Sequence, residues 1–136
     1  MKAMLDNNVI IDALKPNPLF EAEAQEILKR AAMKEINGFV SANSLTDIFY
    51  ILRKEHGADK AKTMLRNLLI ILDVAGIEPG DCAAALEKPM SDFEDSLVDV
   101  CAERIGADCI VSRDEMFIKA GTAVEVITPG QLLERI

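Results

Sequence analysis

Short apolar runs alternate along the chain with longer stretches in which apolar residues recur every three or four positions. Ala3-Met4-Leu5 reads as a short strand ending at Asp6. Residues 9–14 continue as a short helix, which Lys15-Pro16-Asn17-Pro18 stops. Ala24, Ile27, Leu28 and Ala31 share one face of a helix over 21–34, which Asn37-Gly38 breaks. Phe39-Val40 is the next strand, followed by Ser41 or Asn43 as an N-cap. Leu45, Ile48, Phe49 and Leu52 mark the buried face of a further helix that His56-Gly57 ends. A helix follows over 58–70, and the apolar run to Val74 turns into a strand before Gly76. Pro79 opens a short helix that ends before Pro89. A strong helical pattern runs over 92–105 and closes at Gly106. Cys109-Ile110-Val111 and Val124-Glu125-Val126-Ile127 are the last strands, and Pro129 opens the last helix.

Short apolar strands separated by helices predict an α/β fold whose parallel sheet is covered on both faces. In such sheets ligands bind beyond the carboxyl ends of the strands. The 136 residues fit a single domain over 1–136. Half of them are apolar, which excludes global disorder, and the near-absence of aromatics leaves the core to aliphatic residues. The longest apolar run, 68–72, is far short of the ~20 residues a bilayer crossing needs, so no membrane association is expected. The three cysteines form no Cys-x-x-Cys pair, which argues against a disulfide framework or zinc cluster and fits a reducing cytoplasm.

With 15 Lys and Arg against 23 Asp and Glu, the chain lacks the basic balance of a passive nucleic-acid binder. An acidic protein can still meet nucleic acid through a divalent cation, so the position of the acids matters more than their number. Asp6 and Asp114 follow strand ends, Asp47 sits early in the helix after Phe39-Val40, and Asp92, Asp95 and Asp99 share one helix face away from Phe93, Leu97 and Cys101. Singly these are a helix cap, a turn residue and a solvated face. Together Asp6, Asp47, Asp95 and Asp114 are candidates to meet at one end of the sheet, where Mg²⁺ or Mn²⁺ would relieve their repulsion and activate water against a phosphodiester.

Four segments resemble PIN-domain ribonucleases. Leu5-Asp6-Asn7-Asn8-Val9-Ile10-Ile11-Asp12-Ala13-Leu14 is similar to the family's opening strand and helix. Ser44-Leu45-Thr46-Asp47-Ile48-Phe49 resembles the helix with the second acid, Asp92-Phe93-Glu94-Asp95-Ser96-Leu97 the helix with the third, and Ile110-Val111-Ser112-Arg113-Asp114 the segment with the last. The resemblance implies a three-layer α/β/α fold with a central parallel sheet of four to five strands. It further implies a Mg²⁺- or Mn²⁺-dependent endoribonuclease of the VapC kind, acting on RNA, with an antitoxin partner and a homodimeric state. It places metal-binding and catalytic roles on Asp6, Asp47, Asp95 and Asp114, with Asn8, Ser112 and Asp92 in support. Three positions depart from the family pattern. Asn7 stands where Ser or Thr is common, Asp47 where Glu is, and Met116 where a further Asp often precedes the residue matched by Phe117. Asp114 is thus the main acid of its loop. A nuclease acting on another nucleic acid and a non-catalytic PIN-like interaction module are the alternatives.

The single His56, beside Gly57 at a helix end, reads as structural. Arg53, Lys54, Lys60, Lys62 and Arg66 form the densest basic run. It reads first as a solvated helix pair and secondly as a cationic wall for RNA or an acidic inhibitor segment.

Overall fold

A computed structural model describes residues 1–15 and 17–136, so the Pro16 part of the expected helix stop lies outside the described residues. The chain runs β1 (Lys2–Leu5), α1 (Asn7–Leu14), α2 (Glu21–Ala32), β2 (Asn37–Ser41), α3 (Ala42–His56), α4 (Ala58–Ile71), β3 (Asp73–Ala75), α5 (Pro79–Leu86), α6 (Phe93–Arg104), β4 (Cys109–Val111), α7 (Glu115–Ile118), β5 (Val126–Ile127) and α8 (Pro129–Arg135). The five strands form one sheet in the order β3-β2-β1-β4-β5, every pair parallel. In register, Ala3 lies opposite Gly38 and Cys109, while Ile110 lies opposite Val126.

The two-residue period of a strand sorts the core into two layers. Ala3, Leu5, Cys109 and Val111 pack with Val9, Ile27, Ile48, Leu52 and Leu68 from α1 to α4. Met4 and Ile110, which alternate with them, pack on the other face with Leu97, Cys101 and Phe117 from α6 and α7. The result is the expected three-layer α/β/α arrangement, with β1 at the centre. Its carboxyl end therefore lies beside those of β2 and β4.

Several local expectations change. Asn37 and Gly38 belong to β2 rather than to a break before it. A Cβ on Gly38 would stand 2.5 Å from Leu72 Cδ2, so glycine here admits Leu72 against the strand. The break comes earlier, where Lys34 takes a left-handed φ of 60° and ends α2 at Ala32 instead of at residue 34. The four-residue α7, too short to show helical periodicity, follows Asp114 directly. β5 is only Val126–Ile127.

The helix α6 departs most from its sequence pattern. Seven consecutive residues from Ser96 to Ala102 are buried, because α6 lies between the sheet, α5 and the segment before β5. Asp99 is therefore not on a wet face. It is fully buried, accepts from the backbone N–H groups of Ala123 (2.9 Å) and Val124 (3.0 Å), and pairs with Lys88 at 3.0 Å. Phe93, assigned to the buried side by its spacing, is 47% exposed. Among the described residues no helix is long and apolar enough to cross a membrane.

Candidate active site

The site is built where β1 and β4 end. Asp6 N–H donates to Val111 O at 2.9 Å, carrying the β1–β4 ladder one residue past β1. Asp6 then caps α1: its Oδ1 accepts from Asn7 N–H at 2.9 Å. Its Oδ2 accepts from the Ser112 hydroxyl at 2.8 Å and from Asn8 Nδ2 at 3.1 Å. Asn8 Nδ2 also donates to Ser112 Oγ at 3.2 Å, and Asp114 N–H donates to the same oxygen at 3.1 Å. Ser112 thus spends its one proton on Asp6 and both lone pairs on Asn8 and Asp114, the full capacity of a hydroxyl. The two amide protons of Asn8 are used as fully. Asn8 and Ser112 hold Asp6 in one orientation.

Asp6 is 4% exposed. Burial raises its pKa, the hydrogen bonds from Ser112 and Asn7 oppose that, and the charges of Asp114 and Asp92 raise it further. Asp92 caps α6, its Oδ1 accepting from Asp95 N–H at 3.0 Å. Asp95, in the first turn of α6, has its pKa pushed up to about 7 by burial and then by the charges of Asp6, Asp92 and Asp114. Asp114 is exposed, caps α7 and accepts from Met116 N–H at 3.0 Å. Asp6, Asp92, Asp95 and Asp114 therefore share one electrostatic neighbourhood. The N-termini of α1 and α6 both point into it, which lowers the cost of gathering negative charge there.

Asp47 joins by a different route. It is half-buried on α3 and near Glu94, whose Oε1 accepts from Asn7 Nδ2 at 3.1 Å. Burial, the nearby Asp47 carboxyl and the charges of Asp6 and Asp92 push Glu94 up to about 7. Glu94 was not among the acids expected at the site. Its signal in the sequence is its place directly before Asp95, in the first turn of a helix already assigned to the site.

Arg113 pairs with Asp12, Lys88 with Asp99 and Arg104 with Asp81, while Lys119 lines a cavity with Asp92 and Asp95 without pairing with either. Among the described residues no Lys or Arg forms an ion pair with Asp6, Asp47, Asp92, Glu94, Asp95 or Asp114. Six oxygen-donor acids without a basic partner, two of them pushed toward neutrality, suit a hard divalent cation. As the side chains stand, no three of the described His, Cys, Asp and Glu residues close on one point, so an ion would have to draw them inward. A cavity of about 240 Å³ opens beside Asp92 and Asp95, walled by Met90, Met116 and Lys119.

The basic run lies on α3 and α4, with Arg53, Lys54, Lys60, Lys62 and Arg66 all exposed, as in the solvated helix pair expected first. Arg53 stacks on Tyr50, its guanidinium 5.2 Å from the ring centroid. His56 ends α3, with Nε2 3.9 Å from Glu55.

The profile of the PIN domain matches residues 2–116. The chain belongs to the PIN-domain family. A Ribonuclease VapC1 of Aquifex aeolicus is 25% identical, over 98% of this chain and 94% of that protein. Among solved structures, VapBC2 of Rickettsia felis, bound to a DNA fragment from its promoter, superposes with a TM-score of 0.74 at 17% identity, covering 94% of this PIN chain and 98% of the other. VapC20 of Mycobacterium tuberculosis, a toxin that cleaves the sarcin–ricin loop, gives a TM-score of 0.69 at 14% identity, covering 89% and 96%. These likenesses extend the PIN fold over nearly the whole of the chain.

Proposed function

We propose that this PIN-domain protein is a metal-dependent endoribonuclease, cleaving RNA phosphodiester bonds as the toxin of a type II toxin–antitoxin pair. The observation that carries the reading is Asp6, a buried carboxylate held by Ser112 and Asn8 amid acids that, among the described residues, make no salt bridge. The VapC ribonuclease relative supports RNA as substrate, and the VapBC neighbours support an antitoxin partner. In this reading the 136 residues act as one nuclease domain, in the cytoplasm and as a homodimer.

Asp6, Asp95 and Asp114 would hold Mg²⁺ or Mn²⁺, with Asp47 and Glu94 as the outer acids. A bound ion of this kind lowers the pKa of water and offsets charge on the phosphoryl oxygens in an in-line displacement. The chain's own part is to aim the carboxylates. Ser112 and Asn8 fix both lone-pair directions of Asp6 Oδ2, and Asn7 fixes Glu94 against α1. Asp92 holds the first turn of α6 and with it the direction of Asp95.

The test is cleavage of structured RNAs and matched DNAs by purified protein freed of any inhibitor, in Mg²⁺, Mn²⁺ or EDTA. The expected result is endonucleolytic RNA cleavage with either ion and none in EDTA. Cleavage of DNA alone would assign another substrate. Cleavage undiminished in EDTA would refute the metal role.

A further inference from the structure

Arg113 stands between two residues of the site, Ser112 and Asp114, yet its own side chain turns away from both. Its backbone N–H donates to Asn8 Oδ1 at 3.4 Å. Its guanidinium makes two hydrogen bonds to Asp12, Nε to Oδ2 at 2.6 Å and Nη2 to Oδ1 at 3.2 Å. Asn8 and Asp12 are four residues apart on α1, hence on one helix face, and that face grips the backbone and the side chain of a single loop residue. Asp12 is 4% exposed and also accepts from Asn17 Nδ2 at 3.4 Å. The guanidinium lies 4.3 Å from the centroid of the Phe20 ring, which covers one of its faces.

We infer that Arg113 is a positioning residue: clamped by Asp12, Asn8 and Phe20, it holds the Ser112–Asp114 loop against α1 and so sets where Ser112 and Asp114 stand relative to Asp6. The inference rests on the metal-nuclease reading for its consequence, but its geometry does not. Ser112 and Asp114 lie in a short loop with no ladder partner beyond Ser112 N–H, which donates to Ile127 O at 2.9 Å. Beside the bonds that Ser112 Oγ makes with Asp6, Asn8 and Asp114 N–H, it is the clamp that ties this loop to α1. The planar fork of arginine is needed because Asp12 receives two parallel bonds while the guanidinium face stacks on Phe20; a lysine supplies the charge but neither the second bond nor the flat face. The rival explanation is that Arg113 only neutralises a buried carboxylate, which matters for folding and not for the site.

Three variants separate the two explanations: Arg113→Lys, Arg113→Ala and the double variant Asp12→Ala with Arg113→Ala. The double variant removes the buried charge together with its partner, so its fold is spared an unpaired carboxylate. The first measurement is amide hydrogen exchange at Asp114 in metal-free protein. All three variants are expected to lose protection there while β1 and β4 keep theirs. The second is Mn²⁺ affinity by titration calorimetry on folded protein. Outer partners that orient metal ligands are worth ~10–100-fold in affinity or activity, and that loss is expected in all three variants, with RNA cleavage following in kcat more than in KM. If Arg113→Lys or the double variant keeps wild-type protection at Asp114 and wild-type Mn²⁺ affinity, Arg113 serves folding alone and the inference falls. If wild type itself binds no Mn²⁺ while the loop still loosens in the variants, the metal reading fails and the clamp stands as a structural device.

Discussion

Ser112 and Asp6 are 106 residues apart in sequence and meet through a 2.8 Å hydrogen bond that joins the ends of β4 and β1. The bond is buried, and Ser112 Oγ is also the acceptor for Asn8 and Asp114. Ser112→Ala should therefore leave Asp6 Oδ2 to Asn8 alone, and Asp114 N–H should lose its partner. The expected outcome is RNA cleavage lowered ~10–100-fold with the fold retained. Cleavage rates and circular dichroism on the same preparation decide it; unchanged rates would show that Asn8 alone suffices to orient Asp6.

Asp6→Asn is expected to abolish RNA cleavage without unfolding the protein. The amide keeps the shape but loses the charge that attracts the ion, and one lost electrostatic contact of this kind costs ~10²–10³ in rate. Removing one crowded carboxylate also relieves its repulsion of Asp95, so thermal stability in EDTA should hold or rise. A folded Asp6→Asn protein that cleaves at the wild-type rate would sink the proposed mechanism.

Metal-free stability should fall as pH rises. Glu94 and Asp95 are pushed up to about 7 in the folded chain, from ordinary values of 4.5 and 3.8, and Asp6 is raised as well. The folded state then binds more protons than the unfolded one between about pH 4 and pH 7. Its contribution to stability is full below that window and is lost as pH climbs through it. Mg²⁺ or Mn²⁺ competes with those protons, so the gain in melting temperature over EDTA should be larger at pH 8 than at pH 5. Thermal melts across pH 5–8, with monovalent salt as the screening control, give the answer. A metal-free melting temperature that rises over the same range would contradict it.

Asp99 is expected to be a stability residue. It is fully buried on α6 and anchors the segment before β5 through Ala123 and Val124, with Lys88 as its counter-charge. Asp99→Ala leaves two backbone donors without their acceptor and Lys88 with only Glu103, at 3.8 Å. Breaking a buried pair from one side costs ~3–5 kcal/mol. Urea unfolding in the presence of saturating Mg²⁺ measures it, and a loss below ~1 kcal/mol would mean that water replaces the carboxylate.

The sequence by itself determined the order of elements apart from α7, the parallel α/β class and the positions of four acids at strand ends and helix starts. Those are local properties. Apolar spacing marks α2, α3 and α6, and an acid directly after Leu5 or shortly after Val111 is placed at the sheet edge once those runs are strands. Only the tertiary structure decided which acids interact and which were misassigned. Asp99 shares its helix face with Asp95, yet a wheel has no record of α5 and the segment before β5 closing over that face. Glu94 gained its place from Asp47 and Asn7, which approach from two other helices. Arg113 has its partners Asp12 and Phe20 only because packing brings α1 and the segment before α2 to it. The physical reason is common to all three. Helical and strand periods are written in neighbouring residues, whereas the charge, burial and partners of a site residue are supplied by chain segments brought to it only by packing.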